Sequence, residues 1–168
     1  MRLLVIRHGD AVEREEFAES GQDDALRPLT EEGTRKMERN AKALRRVVDA
    51  LDVLGASPLL RAAQTAGVVA AAYDDVAVTT VPALAPESPL DDFLAWLRQR
   101  REAEVVAAVG HEPHLGTLVT WLLTGLEESR TPLRKGGACL LEFDGRPRPG
   151  GARLLWALTP ALLRLIGD

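Results

Sequence analysis

Leu3-Leu4-Val5-Ile6-Arg7-His8-Gly9 is the stretch that decides the fold, because an apolar run of strand length stops abruptly on an arginine, a histidine and a glycine. Four consecutive apolar residues suit a parallel strand buried on both faces, and the polar break suits the loop that leaves it. The layout recurs twice. Residues 53–57 lead into Pro58-Leu59-Leu60-Arg61, and residues 105–109 lead into Gly110-His111-Glu112. Between these runs lie helical patterns. Thr30 stands as N-cap before Glu31 and Glu32, and Met37, Ala41, Leu44, Val48 and Leu51 follow at helical spacing. Residues 59–72 form an Ala-rich helix whose small residues, Gly67 among them, allow close packing on a sheet. Residues 76–81 read as a β-branched strand. Ser88 is the expected cap of the next helix, with Pro89 at its first position and Leu90, Phe93, Leu94 and Leu97 on one face. Leu115, Leu118, Val119 and Leu122 mark a further helix closed by Gly125. Two more strands surround the turn-rich segment 144–151, and Thr159 with Pro160 opens a last short helix. Alternation of this kind predicts a mainly parallel sheet with helices on both faces. Residues 10–28, with Glu13, Glu15, Glu16, Glu19, Asp23 and Asp24 and little periodicity, read as a long acidic loop and a candidate lid.

The chain of 168 residues is 46% hydrophobic and 27% charged, which fits one globular domain over 1–168 and excludes disordered and fibrous classes. A net charge of -4 with no basic block argues against a nucleic-acid partner. An anionic ligand then needs a local cluster of Arg and His to hold it. Cys139 is the only cysteine, so an intramolecular disulfide and multi-cysteine metal sites are excluded, and a reducing, cytoplasmic setting is expected. The apolar run before Arg7 is too short for a signal segment, and no run approaches the ~18 apolar residues of a membrane span.

In open α/β sheets, ligands bind beyond the carboxyl ends of the strands, so the three strand ends are expected to converge. Arg7, His8, Arg61 and His111 would then share one site. Two guanidiniums and an imidazole can surround the non-bridging oxygens of a phosphoryl group while a second imidazole attacks phosphorus. Adjacent positive charge keeps the attacking nitrogen unprotonated and also stabilises the anionic transition state.

Arg7-His8-Gly9, Ser57-Pro58-Leu59-Leu60-Arg61-Ala62-Ala63-Gln64-Thr65-Ala66 and Val109-Gly110-His111-Glu112-Pro113 together resemble the histidine phosphatase superfamily. The compact length and Asp24-Ala25-Leu26-Arg27-Pro28-Leu29-Thr30-Glu31-Glu32-Gly33 are similar to its short, SixA-type phosphohistidine phosphatase branch. The resemblance runs from the N-terminus to about residue 125. It implies a phosphoglycerate mutase-like α/β/α sandwich in three layers and no cofactor or metal. It also implies that His8 becomes phosphorylated in a pocket of Arg7, Arg61 and His111, and that water then releases phosphate.

Other readings stand beside this one. His111 could be a helix N-cap or a buried imidazole satisfied by backbone, and Arg61 a surface ion-pair partner. His111-Glu112-Pro113-His114 lacks the spacing of four on a formed helix that a paired-histidine zinc site needs. His114 reads as an early helix residue at the pocket rim. No segment matches the carboxylic acid that larger members use to protonate the leaving oxygen. Glu87 is the candidate general acid, with a solvated residue before the helix as its alternative, and Asp10 and Glu112 could orient an imidazole or face water. A missing strong acid favours the labile phosphoramidate bond, so the expected partner is a protein bearing phosphohistidine. A broad phosphatase of small phosphomonoesters is the second enzymatic reading, and a phosphate- or phosphohistidine-binding module without turnover is the non-enzymatic one.

Overall fold

The computed structural model describes residues 1–167; Asp168, the end of the expected domain, lies outside the described residues. Strands β1 (Arg2–Arg7), β2 (Val53–Ala56), β3 (Val78–Thr80), β4 (Val105–Gly110), β5 (Ala138–Phe143) and β6 (Ala152–Leu158) form a six-stranded sheet in the order β3-β2-β4-β1-β5-β6. The first four strands in that order are parallel, while β5 runs antiparallel to β1 and β6 antiparallel to β5. The expected mainly parallel α/β fold is the observed one.

Side-chain alternation along β1 and β4 divides the core in two. Leu4, Ile6, Ala107 and Val109 face a cluster built with Met37, Ala41 and Leu44 of α2 (Glu31–Val47), Ala62, Ala66 and Val69 of α3 (Leu60–Ala72) and Leu163 of α6 (Pro160–Gly167). Leu3, Val5, Val106 and Ala108 face a second cluster with Phe93, Leu94 and Leu97 of α4 (Leu90–Arg98) and Leu115, Leu118 and Leu122 of α5 (His114–Thr124). Each buried Leu contributes about 1.5–3 kcal/mol, and the two faces together give the three layers. Thr30 caps α2 as read, its Oγ1 accepting from Gly33 N at 2.9 Å, and Gly125 ends α5 at φ +84°. Thr159 Oγ1 likewise accepts from Leu162 N at 3.3 Å in the first turn of α6.

Four local expectations are corrected. Residues 10–28 contain α1 (Arg14–Ala18) and a 3₁₀ turn at Asp24–Leu26, and an isolated bridge joins Ala11 to Leu29. Asp23 nucleates that turn by accepting from Ala25 N, a local side-chain-to-backbone signal without hydrophobic periodicity. Ser88 does not cap α4. Its hydroxyl donates to Pro82 O at 3.1 Å, and Pro89 takes the N-cap position instead of the first helical one. Gly67 faces solvent, so it packs on nothing and the contact with the sheet falls to Ala62, Ala66 and Val69. The strand expected over 76–81 is confined to Val78–Thr80 at the sheet edge, where its residues are exposed.

Candidate active site

The parallel register places the site. Arg7 pairs with Gly110 across β1 and β4, and Ala56 pairs with Val109 across β2 and β4, so the next residues His8, Ser57 and His111 leave the sheet side by side. Two further hydrogen bonds continue the ladder one step beyond: His8 N donates to Gly110 O at 3.1 Å and Ser57 N donates to Val109 O at 2.9 Å. The rings of His8 and His111 come within 5.1 Å between centroids. Arg61 arrives from the first turn of α3. Thr65, one turn later, fixes that helix to the β1 loop by donating to Arg61 O at 2.7 Å while accepting from Gly9 N at 3.1 Å. Gly9 has little room for a side chain, since a Cβ there would lie 2.6 Å from Met37 Cγ.

A cavity of about 690 Å³ is lined by Arg7, His8, Arg61 and His111, with Glu87 also on its wall. All five sequence-predicted residues therefore meet in one place. His8 Nδ1 donates to Gly9 O at 2.7 Å, because a carbonyl can only accept. That bond sets the tautomer, leaving Nε2 with a free lone pair. Burial, reinforced by the Arg61, Arg7 and Lys135 charges, lowers the His8 pKa to about 4. Burial with the neighbouring His8 and Arg61 lowers His111 to about 3. Both imidazoles are neutral at pH 7. His111 Nε2 is 2.8 Å from Ser57 Oγ, and its Nδ1 is buried with no partner.

Each guanidinium is anchored through Nη1 and keeps a donor without a partner. Arg7 Nη1 donates to Leu133 O at 2.8 Å, and Arg61 Nη1 donates to Asp24 O at 3.0 Å; the Nε of each is buried without a partner. Burial lowers the pKa of both arginines, yet a guanidinium stays charged in proteins. Two cations with unspent donors around an unprotonated imidazole form an oxyanion cradle.

Glu112 and Asp10 serve the frame, which neither of their expected roles anticipated. Glu112 Oε1 accepts from Leu133 N at 2.9 Å and Oε2 from Gly116 N at 3.3 Å, so the carboxylate pins the loop that holds Arg7 to the start of α5. Burial raises the Glu112 pKa, and those two N–H bonds oppose the rise. Asp10 pairs with Lys36 at 3.2 Å. His114 lines the cavity and is buried, donating from Nε2 to Ser88 O at 3.1 Å beside Glu87. Glu87 itself is exposed and takes φ +65°. Among the described residues no group of three or more His, Cys, Asp or Glu is placed to hold a metal ion. Cys139 is buried, and burial pushes its thiol up to about 12.

Three contributors lie in stretches quoted from the sequence but were given no site role there. Asp24, on the 3₁₀ turn, lies 3.3 Å from Arg61 Nη1 through Oδ2 and accepts from Arg27 Nε at 2.7 Å through Oδ1. Arg27 is buried and also donates to Val12 O at 2.8 Å. Ser57 is the third, and its place at the end of a strand was the available signal.

Residues 3–86 match the model of the histidine phosphatase superfamily (branch 1). An uncharacterized protein of Picosynechococcus sp. is 35% identical over 156 residues, 92% of this chain and 88% of its own length. The chain belongs to the histidine phosphatase superfamily. Among solved structures, that of the protein histidine phosphatase SixA complexed with tungstate is similar with a TM-score of 0.82 at 24% identity, covering 96% of this chain and 98% of its own. The alpha-ribazole phosphatase of Shigella flexneri matches at 0.75 and 19% identity over 95% and 97% of the two chains. A phosphoserine phosphatase of Entamoeba histolytica in complex with phosphoserine matches at 0.69 and 18% identity, again over 95% and 97%. At these identities the likeness is one of fold.

Proposed function

We propose that the protein is a phosphatase acting through a phosphohistidine on His8, built as one histidine phosphatase domain over 1–168. One observation carries this: His8 Nδ1 is committed to Gly9 O, so an unprotonated Nε2 is left among Arg7, Arg61 and His111. In the first step the Nε2 lone pair attacks phosphorus and the bond to the leaving group breaks. Charge that develops on the imidazole is stabilised by the Nδ1–H donated to Gly9 O. Arg7, Arg61 and His111 Nδ1 take the equatorial oxygens, since each keeps a buried unpartnered nitrogen. In the second step water attacks phosphorus, the P–N bond breaks and phosphate departs with His8 restored. The guanidiniums supply the positive charge, and no step is routed through a metal.

Glu87, on the cavity wall, is the proposed proton donor to a poor leaving group. A phosphoramidate needs this help less than an alkyl ester. The proposed substrate is accordingly phosphohistidine in a protein, handled in the cytoplasm, and the SixA likeness in fold supports that choice. The second reading, a small-molecule phosphomonoesterase, is favoured by one feature, the breadth of a cavity of about 690 Å³. Neither nucleic acid nor membrane is a proposed partner; among the described residues no helix is long and apolar enough to cross a membrane.

The test uses a radiolabelled phosphoryl donor with wild type and His8→Ala. An acid-labile, base-stable label on wild type alone is the expected result, and wild type that binds phosphate without labelling would refute it in favour of a binding module. Turnover of a phosphohistidine protein against an alkyl phosphate then separates the two substrates, and Glu87→Gln should slow the alkyl ester far more.

A further inference from the structure

Beside the cavity that holds His8 lies a second one, of about 380 Å³, and Arg7 and Lys135 line both. Its other charged walls are Lys36, Arg134, Arg164 and Asp10. Five cations thus face one carboxylate in a chain whose net charge is -4. Lys36 is already held by Asp10 at 3.2 Å and Glu32 at 3.0 Å. Among the described residues Arg134, Lys135 and Arg164 have no acidic partner within 4.0 Å, so their charges converge uncompensated. A concave surface that concentrates one sign of charge draws the opposite ion to it.

Asn40 says more about that ion. It is 1% exposed and lines the cavity; its Nδ2 donates to Gly136 O at 3.0 Å, while its Oδ1 is buried and has no partner. A buried acceptor left unsatisfied costs about 1–3 kcal/mol, so the site calls for a ligand that can donate to it. Carboxylates offer acceptors only, whereas a phosphate group that keeps one proton offers anionic oxygens for the cations and one P–OH for Oδ1. Gly136 joins this site to the nucleophile, since its N–H donates to both Arg7 O and His8 O at 3.1 and 3.0 Å. Only glycine suits that position: φ is +75°, and a Cβ would lie 2.9 Å from Asn40 Nδ2.

We infer that this cavity is a second phosphate site, distinct from the one at His8, with Arg164, Arg134 and Lys135 on the anionic oxygens and Asn40 Oδ1 accepting from the P–OH. Its occupant is either the second phosphate of a doubly phosphorylated substrate or free inorganic phosphate. The site itself stands without the phosphatase reading, and only its link to turnover rests on that reading.

The experiment titrates the full chain with inorganic phosphate and follows ¹H–¹⁵N resonances. The Asn40 side-chain amide and Gly136 N–H report the second cavity, and the His111 N–H reports the first. Both sets should shift and saturate with separate Kd values. In Arg134→Gln/Arg164→Gln, and independently in Arg164→Glu, the second Kd should rise about tenfold while the first changes less than about twofold. Asn40 and Gly136 resonances that stay still once His111 is saturated would overturn the inference, as would a single Kd shared by all probes. Kinetics on the same variants identify the source. An approximately tenfold rise in KM for a bisphosphate relative to p-nitrophenyl phosphate assigns the substrate's own second phosphate. An unchanged KM ratio with lost phosphate binding assigns free phosphate. Intact binding without turnover of any substrate would sink the phosphatase reading and leave the second site standing.

Discussion

Lowering the pH is the sharpest perturbation of this site, because a pKa of about 4 for His8 departs so far from that of ordinary imidazole. At pH 5 roughly nine-tenths of His8 stays neutral, whereas an imidazole at about 6.5 would be about 3% neutral, a difference of about thirtyfold in unprotonated imidazole. The protein contains three histidines, so ¹³C-labelled histidine gives three Cε1–H titration curves, and His8→Asn identifies one by its absence. The expected His8 midpoint lies near 4, with His111 lower still at about 3. Stability must follow with a definite sign. Folding lowers both pKa values, so the unfolded chain binds more protons; stability is full above about pH 6.5 and falls as pH drops toward the folded values. Each tenfold loss of proton affinity on folding is worth about 1.4 kcal/mol, so His8 alone removes up to about 3 kcal/mol between pH 6.5 and 4, readable as a falling denaturation midpoint in guanidinium. In His8→Asn that loss should shrink. A His8 midpoint between 6 and 7, or a stability flat across this range in wild type, would refute the claim that burial holds His8 neutral.

Two further perturbations test the surroundings. Asp24→Asn keeps the backbone carbonyl that accepts from Arg61 Nη1 but removes the carboxylate at 3.3 Å, so inhibition by inorganic phosphate should strengthen about two- to tenfold, an effect of about 1 kcal/mol; weakened phosphate binding would show that the carboxylate positions Arg61 instead of competing with the anion. Gly33→Ala would set a Cβ 2.0 Å from Asp10 O, a backbone atom that cannot swing aside, and should cost about 3 kcal/mol and lower Tm by about 6–12 °C in calorimetry; an unchanged Tm would show that α2 can retreat from the β1 loop at little cost.

The legible part of this protein was the part written in hydrophobic runs. Wholly apolar strands marked β1, β2 and β4, and a polar break at each strand end marked Arg7, His8, Arg61 and His111; adjacency of the three strands in the sheet then followed from the rules for parallel topology. What escaped was carried by single polar groups with no period. Asp24 reaches Arg61 only because Asp23 closes a 3₁₀ turn, and Ser88 spends its hydroxyl on Pro82 O when a cap on α4 was the stronger local expectation. Arg134 and Lys135 sit in a loop between α5 and β5, and nothing in the sequence around them says that Lys36, Asn40 and Arg164 fold against them.

The frame of the candidate active site explains how so few residues hold so much charge in place. Arg7 is tied to Leu133 O, Leu133 N is tied to Glu112, and Glu112 is tied to Gly116 at the start of α5; the Arg61 guanidinium is tied to Asp24 O, its backbone carbonyl to Thr65, and Thr65 to Gly9. Every one of these links ends on backbone or on a side chain fixed by backbone, so the guanidiniums are oriented before any anion arrives, and little ordering entropy remains to be lost on binding. Gly116 shows how tight this frame is, since a Cβ there would lie 2.7 Å from Glu112 Oε2. The same burial that orients the cations desolvates His8 and keeps its Nε2 unprotonated. An unprotonated His8 near neutral pH and fragility in acid therefore have one physical cause, and a substitution that relieves the second by exposing His8 must also raise its pKa and erode the first.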